Sequence, residues 1–258
     1  MIQSLGLKDK KVLVPRGKKE AKSFSRLLES FGGIPIEIPL IAFRPVTLND
    51  KLRQVLETLH TYDWIIFTSK VTVETLLSLI GPDKLPSLPK IAVIGKKTEE
   101  VLRAKGLKAE FFPSEFVAET FVEEFLPYIQ RGVKICIPKG NLAREYISDS
   151  LKKAGAIVDE VIVYETYMPE ESHDQLAKMF AEDQLDILMF TSPSTVDHLM
   201  SVVEEYQLKK HLESCLIGCI GPVTENKLIS YGLTVHASPK VYTVEEMINS
   251  MNSYLEEK

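Results

Sequence analysis

The chain carries its own sequence twice, and the phase of that repeat limits what it can fold into. Residues 11–17 read KVLVPRG and residues 134–140 read KICIPKG; residues 67–69 and 190–192 both read FTS, and both pairs are offset by 123 positions. IGKKT at 94–98 matches IGPVT at 220–224, and Pro113 matches Pro239, each at an offset of 126. Four landmarks in one order at nearly one spacing mark a duplication. A period this long denotes duplicated domains, not the short stacked units of a solenoid. Each copy supplies the same kind of loop, and two facing sets of such loops would make a cleft.

The 258 residues suit two domains of ordinary size. With 45% hydrophobic residues, each half has material for its own core. The net charge of −5 leaves no global basic footprint for nucleic acid. No apolar run approaches the roughly 20 residues that span a bilayer. The opening MIQSLGLKDKK has no signal-peptide core. The expectation is a cytoplasmic protein, and a monomer, since no long exposed apolar face stands out.

Cys136, Cys215 and Cys219 sit in apolar runs such as VKICIP and CLIGCIG. They read as small buried hydrophobes in a reducing compartment. A metal set of His211, Cys215 and Cys219 is disfavoured: on a strand, the two thiols would lie about 13 Å apart. His60, His173, His198, His211 and His236 show no ligand spacing.

Short apolar runs alternate with amphipathic stretches. Strands are predicted at 11–15, 34–43, 63–67, 90–94, 109–112, 133–137, 157–167, 186–190, 215–220 and 234–237. Helices are predicted over 19–31, 118–129 and 142–154, among others, with Gly32–Gly33 and Gly155 as C-terminal stops. This alternation gives parallel sheets covered by helices.

IPIEIPLIAFR (34–44) and AIVDEVIVYET (156–166) are too long for ordinary strands. Each would reach about 36 Å, against a usual five or six residues. Pro39 also forbids a central-strand position within the first. The simplest reading is that both leave one sheet and cross to another. The predicted fold is α/β: two flavodoxin-like parallel-sheet domains joined by a two-stranded β ribbon. One domain is discontinuous, 1–38 plus 168–258; the other is 44–162, with crossing strands at about 39–43 and 163–167.

Ligands of open parallel sheets bind beyond the carboxyl ends of the strands, where the repeated motifs fall. Ser69 and Ser192 each open a helix after FTS, with Pro193 suited to a first turn. Gly221 and Thr224 repeat the arrangement after the next strand. Free N–H groups at helix starts, with the hydroxyls of Ser194, Thr195 and Thr224, suit carboxylate or phosphate. Plain capping is the competing account of each loop. Thr243 and Glu246 have capping-box spacing, whereas the first copy has Val117 in place of Thr243. Arg16 and Lys139 recur next to Gly17 and Gly140. Lys18, Lys19, Lys70, Lys96, Lys97 and Arg144 lie near other loop positions. Together they would give an acidic protein a local positive site. No GxSxG, Walker motif or GxGxxG occurs. Tyr164, in VIVYET on the second crossing strand, could face the cleft or simply pack on the ribbon.

Assembled, these residues resemble the uroporphyrinogen-III synthase family. The likeness runs through VLVPRG, LLESFGGIPIEIPLI, DWIIFTSKVTV, IAVIGKKT, GNLAREYISDSLKKAGAIVDEVIVYET, FTSPSTVDHL, IGPVTENKLISYGL and YTVEEMI. It implies two α/β domains on a two-stranded ribbon and a hydro-lyase without cofactor or metal. The implied substrate is hydroxymethylbilane, closed to uroporphyrinogen III with loss of water and inversion of ring D. The implied path runs through an azafulvene cation and a spiro pyrrolenine. The resemblance makes Tyr164 the expected proton donor. Arg16, Ser69, Thr98, Lys139, Gly140, Ser192, Pro193, Ser194, Thr195, Gly221 and Thr224 become expected substrate contacts. The rival readings are a non-catalytic cytoplasmic binding or sensor module for a small polyanion, and a nucleotide-sugar transferase, for which the chain is short and lacks a diphosphate loop.

Overall fold

A computed structural model of the chain describes residues 6–257. In chain order the elements begin with β1 (Lys11–Val14), α1 (Lys18–Ser30), β2 (Ile34–Glu37), β3 (Ala42–Pro45), α2 (Asp50–Thr58) and β4 (Trp64–Phe67). Next come α3 (Lys70–Ile80), β5 (Lys90–Val93), α4 (Lys96–Ala104), α5 (Ala118–Phe125), β6 (Lys134–Gly140), α6 (Tyr146–Lys153) and β7 (Ile157–Tyr167). The chain closes with α7 (Glu170–Ala181), β8 (Ile187–Phe190), α8 (Pro193–Glu205), α9 (Lys209–Glu213), β9 (Leu216–Cys219), α10 (Pro222–Ser230) and α11 (Val244–Glu256). Two compact units result: the chain up to Ala42 together with the chain from Tyr167 onward, and Phe43–Thr166.

The discontinuous unit is built on a sheet in the order β2-β1-β8-β9, with every neighbouring pair parallel. Side chains alternate across it as strand geometry requires. Leu13, Leu188, Phe190, Ile217 and Cys219 enter one apolar cluster; Val12, Val14, Ile187 and Met189 enter another, under α1 and α11. The second unit has the order β3-β7-β6-β4-β5. β7, β6, β4 and β5 pair in parallel. Ile65, Phe67 and Cys136 face one cluster; Trp64, Ile66, Ile135 and Ile137 face the other. Each side chain of this size that is fully buried contributes about 1.5–3 kcal/mol, so the four clusters hold both sheets flat against their helices. The first helix of each copy ends at a left-handed glycine, Gly32 (φ 79°) and Gly155 (φ 98°), a conformation disfavoured for residues with a Cβ.

Three sequence expectations are corrected. The run 34–43 is two strands, not one: β2 ends at Glu37 and β3 starts at Ala42, with Ile38–Ile41 irregular around Pro39. A proline has no N–H to give a ladder and restricts the residue before it. By contrast, β7 runs unbroken for 11 residues. The predicted strands at 109–112 and 234–237 shrink to single bridges, Ala92↔Phe111 and Gly218↔Ala237. Pro113 and Pro239 close both segments. The helix predicted over 142–154 begins only at Tyr146. Before it, the Asn141 side chain accepts the Thr166 N–H at 2.8 Å and ties this loop to β7.

No helix among the described residues is long and apolar enough to cross a membrane. All three cysteines are buried and free. Burial first, then the nearby Asp159 charge, pushes the Cys136 thiol up to about 12, so it is neutral near pH 7. Among the described residues no group of three or more His, Cys, Asp or Glu could hold a metal ion.

Candidate active site

Because β2, β1, β8 and β9 run parallel, as do β7, β6, β4 and β5, the carboxyl ends of each set share one edge of its sheet. In the discontinuous unit this edge gathers Arg16 after β1, Ser192–Thr195 after β8 and Gly221–Thr224 after β9. In the other unit it gathers Ser69 after β4, Thr98 after β5, and Lys139–Gly140 at the end of β6. Tyr164, on β7, stands opposite Gly140. The side chains of Lys18 and Lys19 lie outside the described part of the structure.

Equivalent residues of the two copies do different things. Ser69 closes a capping box on α3: its Oγ accepts the Thr72 N–H at 3.2 Å, and Thr72 Oγ1 accepts the Ser69 N–H at 3.4 Å. Ser192 makes no side-chain cap on α8. Its Oγ lies 3.4 Å from Ser194 Oγ and 3.3 Å from Thr195 Oγ1 instead. Thr195 Oγ1 donates back to the Ser192 carbonyl at 2.7 Å. With Pro193 at the first turn, the Ser194 and Thr195 N–H groups open α8 uncapped. The start of α10 is similar: Gly221 precedes Pro222, and no side chain caps it. Thr224 in α10 and Thr98 in α4 hold the same third helical position, 3% and 4% exposed.

The basic pair also diverges. Arg16 is half-buried, and among the described residues no hydrogen bond or ion pair engages it. Lys139 is held: its Nζ lies 2.9 Å from Glu160 Oε1 and 3.5 Å from Glu145 Oε1. The Lys139 and Glu160 side chains are only 13% and 15% exposed. Burial by itself pulls the Lys139 pKa down, but the bond and charge of Glu160, with Glu145, outweigh it and hold the pKa above the ordinary lysine value. Glu160 is the converse. Burial would raise its carboxyl, but the Lys139 bond and the charges of Lys139 and Lys152 hold it below the ordinary range.

Tyr164 is half-buried, its ring edge-on to Phe43 with centroids 5.6 Å apart. Its hydroxyl makes no hydrogen bond to another described residue. The ring lies over Gly140: a Cβ at 140 would stand 2.5 Å from Cζ and 2.8 Å from the hydroxyl oxygen. A second such contact, Tyr242 on Gly221, lies beside α10 in the other unit. Neither Tyr242 nor Glu160 emerged from the sequence as a site residue. The place of Tyr242 directly before the Thr243 cap was the only signal for the first, and nothing local signals the second.

The chain falls in the class of two-unit α/β proteins with parallel-rich sheets, and its strand ends carry uncapped helix starts, hydroxyls and basic residues, groups whose chemistry suits anions. Comparison with known proteins narrows the class. Residues 22–249 match the family described as uroporphyrinogen-III synthase HemD, and the chain belongs to that family. It is 30% identical to the uroporphyrinogen-III synthase of Chlorobaculum parvum, over 90% of this chain and 94% of that protein. It is 27% identical to that of Synechococcus elongatus, over 95% of each. The fold is similar to crystal structures of the synthases of Thermus thermophilus (TM-score 0.66, 18% identity, covering 96% of this chain and 100% of that one) and Helicobacter pylori (TM-score 0.62, 18% identity, covering 95% and 99%).

Proposed function

We propose that this chain acts on hydroxymethylbilane, closing it to uroporphyrinogen III with loss of water and inversion of ring D, and that Tyr164 gives the proton. The activity is that of its family, a hydro-lyase of tetrapyrrole biosynthesis. The binding-module reading gives way to this one. The residue roles rest on one observation: a half-buried phenol, held by its ring and not by its hydroxyl, at the carboxyl end of a parallel strand.

The pyrroles are electron-rich, so departure of the hydroxyl needs little beyond a proton donor. Tyr164 O–H donates to the leaving oxygen, water departs, and the substituted α-carbon of ring D attacks the methylene of the azafulvene cation. The spiro pyrrolenine fragments and recloses with ring D inverted, and loss of a proton restores the pyrrole. Atoms balance as substrate going to product plus water, with the phenol restored. Spontaneous closure omits the inversion, so the protein acts mainly by holding a flexible polyanion in one geometry. Arg16, the uncapped N–H groups of α8 and α10, and the hydroxyls of Ser194 and Thr224 are assigned to the substrate carboxylates. Ser69 is assigned to capping.

Incubation with freshly made hydroxymethylbilane, with the I and III isomers resolved after oxidation, tests the reaction. Tyr164→Phe tests the donor. It is expected to turn over about 10²-fold more slowly at unchanged thermal stability; a wild-type rate would remove Tyr164 from the mechanism.

A further inference from the structure

The strand that carries Tyr164 is not regular. β6 and β7 pair in step from Lys134↔Ile157 to Lys139↔Ile162, then slip so that Gly140 faces Tyr164, leaving Val163 as an extra residue. Side chains on a strand alternate between faces. Val161 and Val163 pack against one cluster, so alternation would send Tyr164 to the opposite face; instead it packs against that same cluster. A bulge has this effect: two successive residues share a side, and a side chain is re-aimed.

Three contacts hold the slip. The Val46 N–H donates to the carbonyl of the extra residue, Val163, at 3.1 Å. The Asn141 N–H donates to the Tyr164 carbonyl at 3.2 Å, just past the slip. Before it, the Lys139–Glu160 pair clamps the last regular step diagonally across the two strands, since Glu160 is in register with Ile137. At the slip itself only a glycine fits, because the Tyr164 ring occupies the place of a side chain at 140.

We infer that the bulge at Val163, seated on Gly140 and clamped by Lys139–Glu160, is the device that aims the Tyr164 phenol at the reacting hydroxyl. Gly140, Lys139 and Glu160 are then positioning residues and not substrate contacts. This rests on the reading of Tyr164 as proton donor.

The test is a double-mutant cycle of Gly140→Ala with Tyr164→Phe in full-length protein, following kcat, KM and thermal midpoint on hydroxymethylbilane. Alanine at 140 displaces a ring in either background, so any loss of stability appears in both. The effect on proton donation needs the hydroxyl. Gly140→Ala is expected to lower kcat at least tenfold with KM within about twofold, and to lower it no further once Tyr164 is Phe, a non-additivity that reports coupling. Wild-type kcat for Gly140→Ala, or losses that multiply in the double variant, would overturn the inference. A wild-type rate for Tyr164→Phe would instead remove the donor reading beneath it. If Gly140→Ala fails to fold, Glu160→Gln takes its place in the cycle. A several-fold kcat loss that vanishes beside Tyr164→Phe supports the clamp, and an unchanged kcat overturns it.

Discussion

The Tyr242 ring lies so close against Gly221 that a Cβ there would stand 2.8 Å from Cδ1 and 3.2 Å from Cγ. Gly221 has a φ of 167°, extended backbone open to any residue. The ring, not the backbone, therefore requires the glycine. Gly221→Ala should lose about 1–3 kcal/mol in urea unfolding, the usual cost of overpacking. Tyr242 is 62% exposed, so Tyr242→Ala alone should stay within about 0.5 kcal/mol. The double variant should recover most of the Gly221→Ala loss. No recovery would place the constraint in the backbone after all.

The two serines that follow FTS should separate in the same measurement. Ser69→Ala removes a side-chain cap and should cost about 1 kcal/mol. Ser192→Ala removes no such bond and should cost under about 0.5 kcal/mol, while raising KM for the carboxylate-bearing substrate. Equal destabilisation by the two would show a cap on α8 in solution.

How far the sequence could reach is visible in these pairs. The duplication, the alternation of strands and helices and the loop positions were legible because each is a local pattern. Thr243 was legible as a cap, and its Oγ1 accepts the Glu246 N–H at 3.2 Å; the first copy's Val117 makes no side-chain cap. Pro39 barred a central-strand position in 34–43 but did not reveal that the run divides into β2 and β3, since the division depends on where β3 joins β7. Ser192 shows the limit: the same FTS that caps α3 leaves α8 open, because its hydroxyl turns to Ser194 and Thr195. The partner of Lys139 lies 21 residues away on a neighbouring strand, and the slip that brings Tyr164 onto Gly140 depends on registers that no local pattern encodes.

The Lys139–Glu160 pair should give stability a pH signature. Glu160 has a depressed folded pKa, so its contribution is full above the unfolded value, about 4.3, and is lost as pH falls through the folded pKa below that. Lys139 has a raised folded pKa. Its contribution is full below the unfolded value, about 10.4, and is lost as pH rises through the folded pKa above that. Glu160→Gln should therefore cost about 1–3 kcal/mol near pH 7. Wild type and variant should converge at both extremes when thermal midpoints are compared across pH. A difference independent of pH would mean that packing, not charge, is lost.

Thr224→Val keeps the shape of a nearly buried side chain and removes its hydroxyl. If that hydroxyl meets a substrate carboxylate, kcat/KM should fall roughly tenfold, mainly through KM, consistent with the ~1.5–3 kcal/mol of a hydrogen bond to a charged group. Thr98→Val should cost less, since Lys96–Lys97 replace Pro222–Val223 ahead of it and the two loops are not chemically alike. Unchanged kinetics for Thr224→Val would leave Thr224 a packing residue.

The central claim is that the chain directs ring closure through inversion, and product identity reports it directly. Fresh hydroxymethylbilane should be incubated with increasing amounts of the protein, then oxidised and resolved into isomers I and III. Isomer III should appear at a rate proportional to protein and displace the spontaneous isomer I. Product that stays isomer I at every protein concentration would contradict the account.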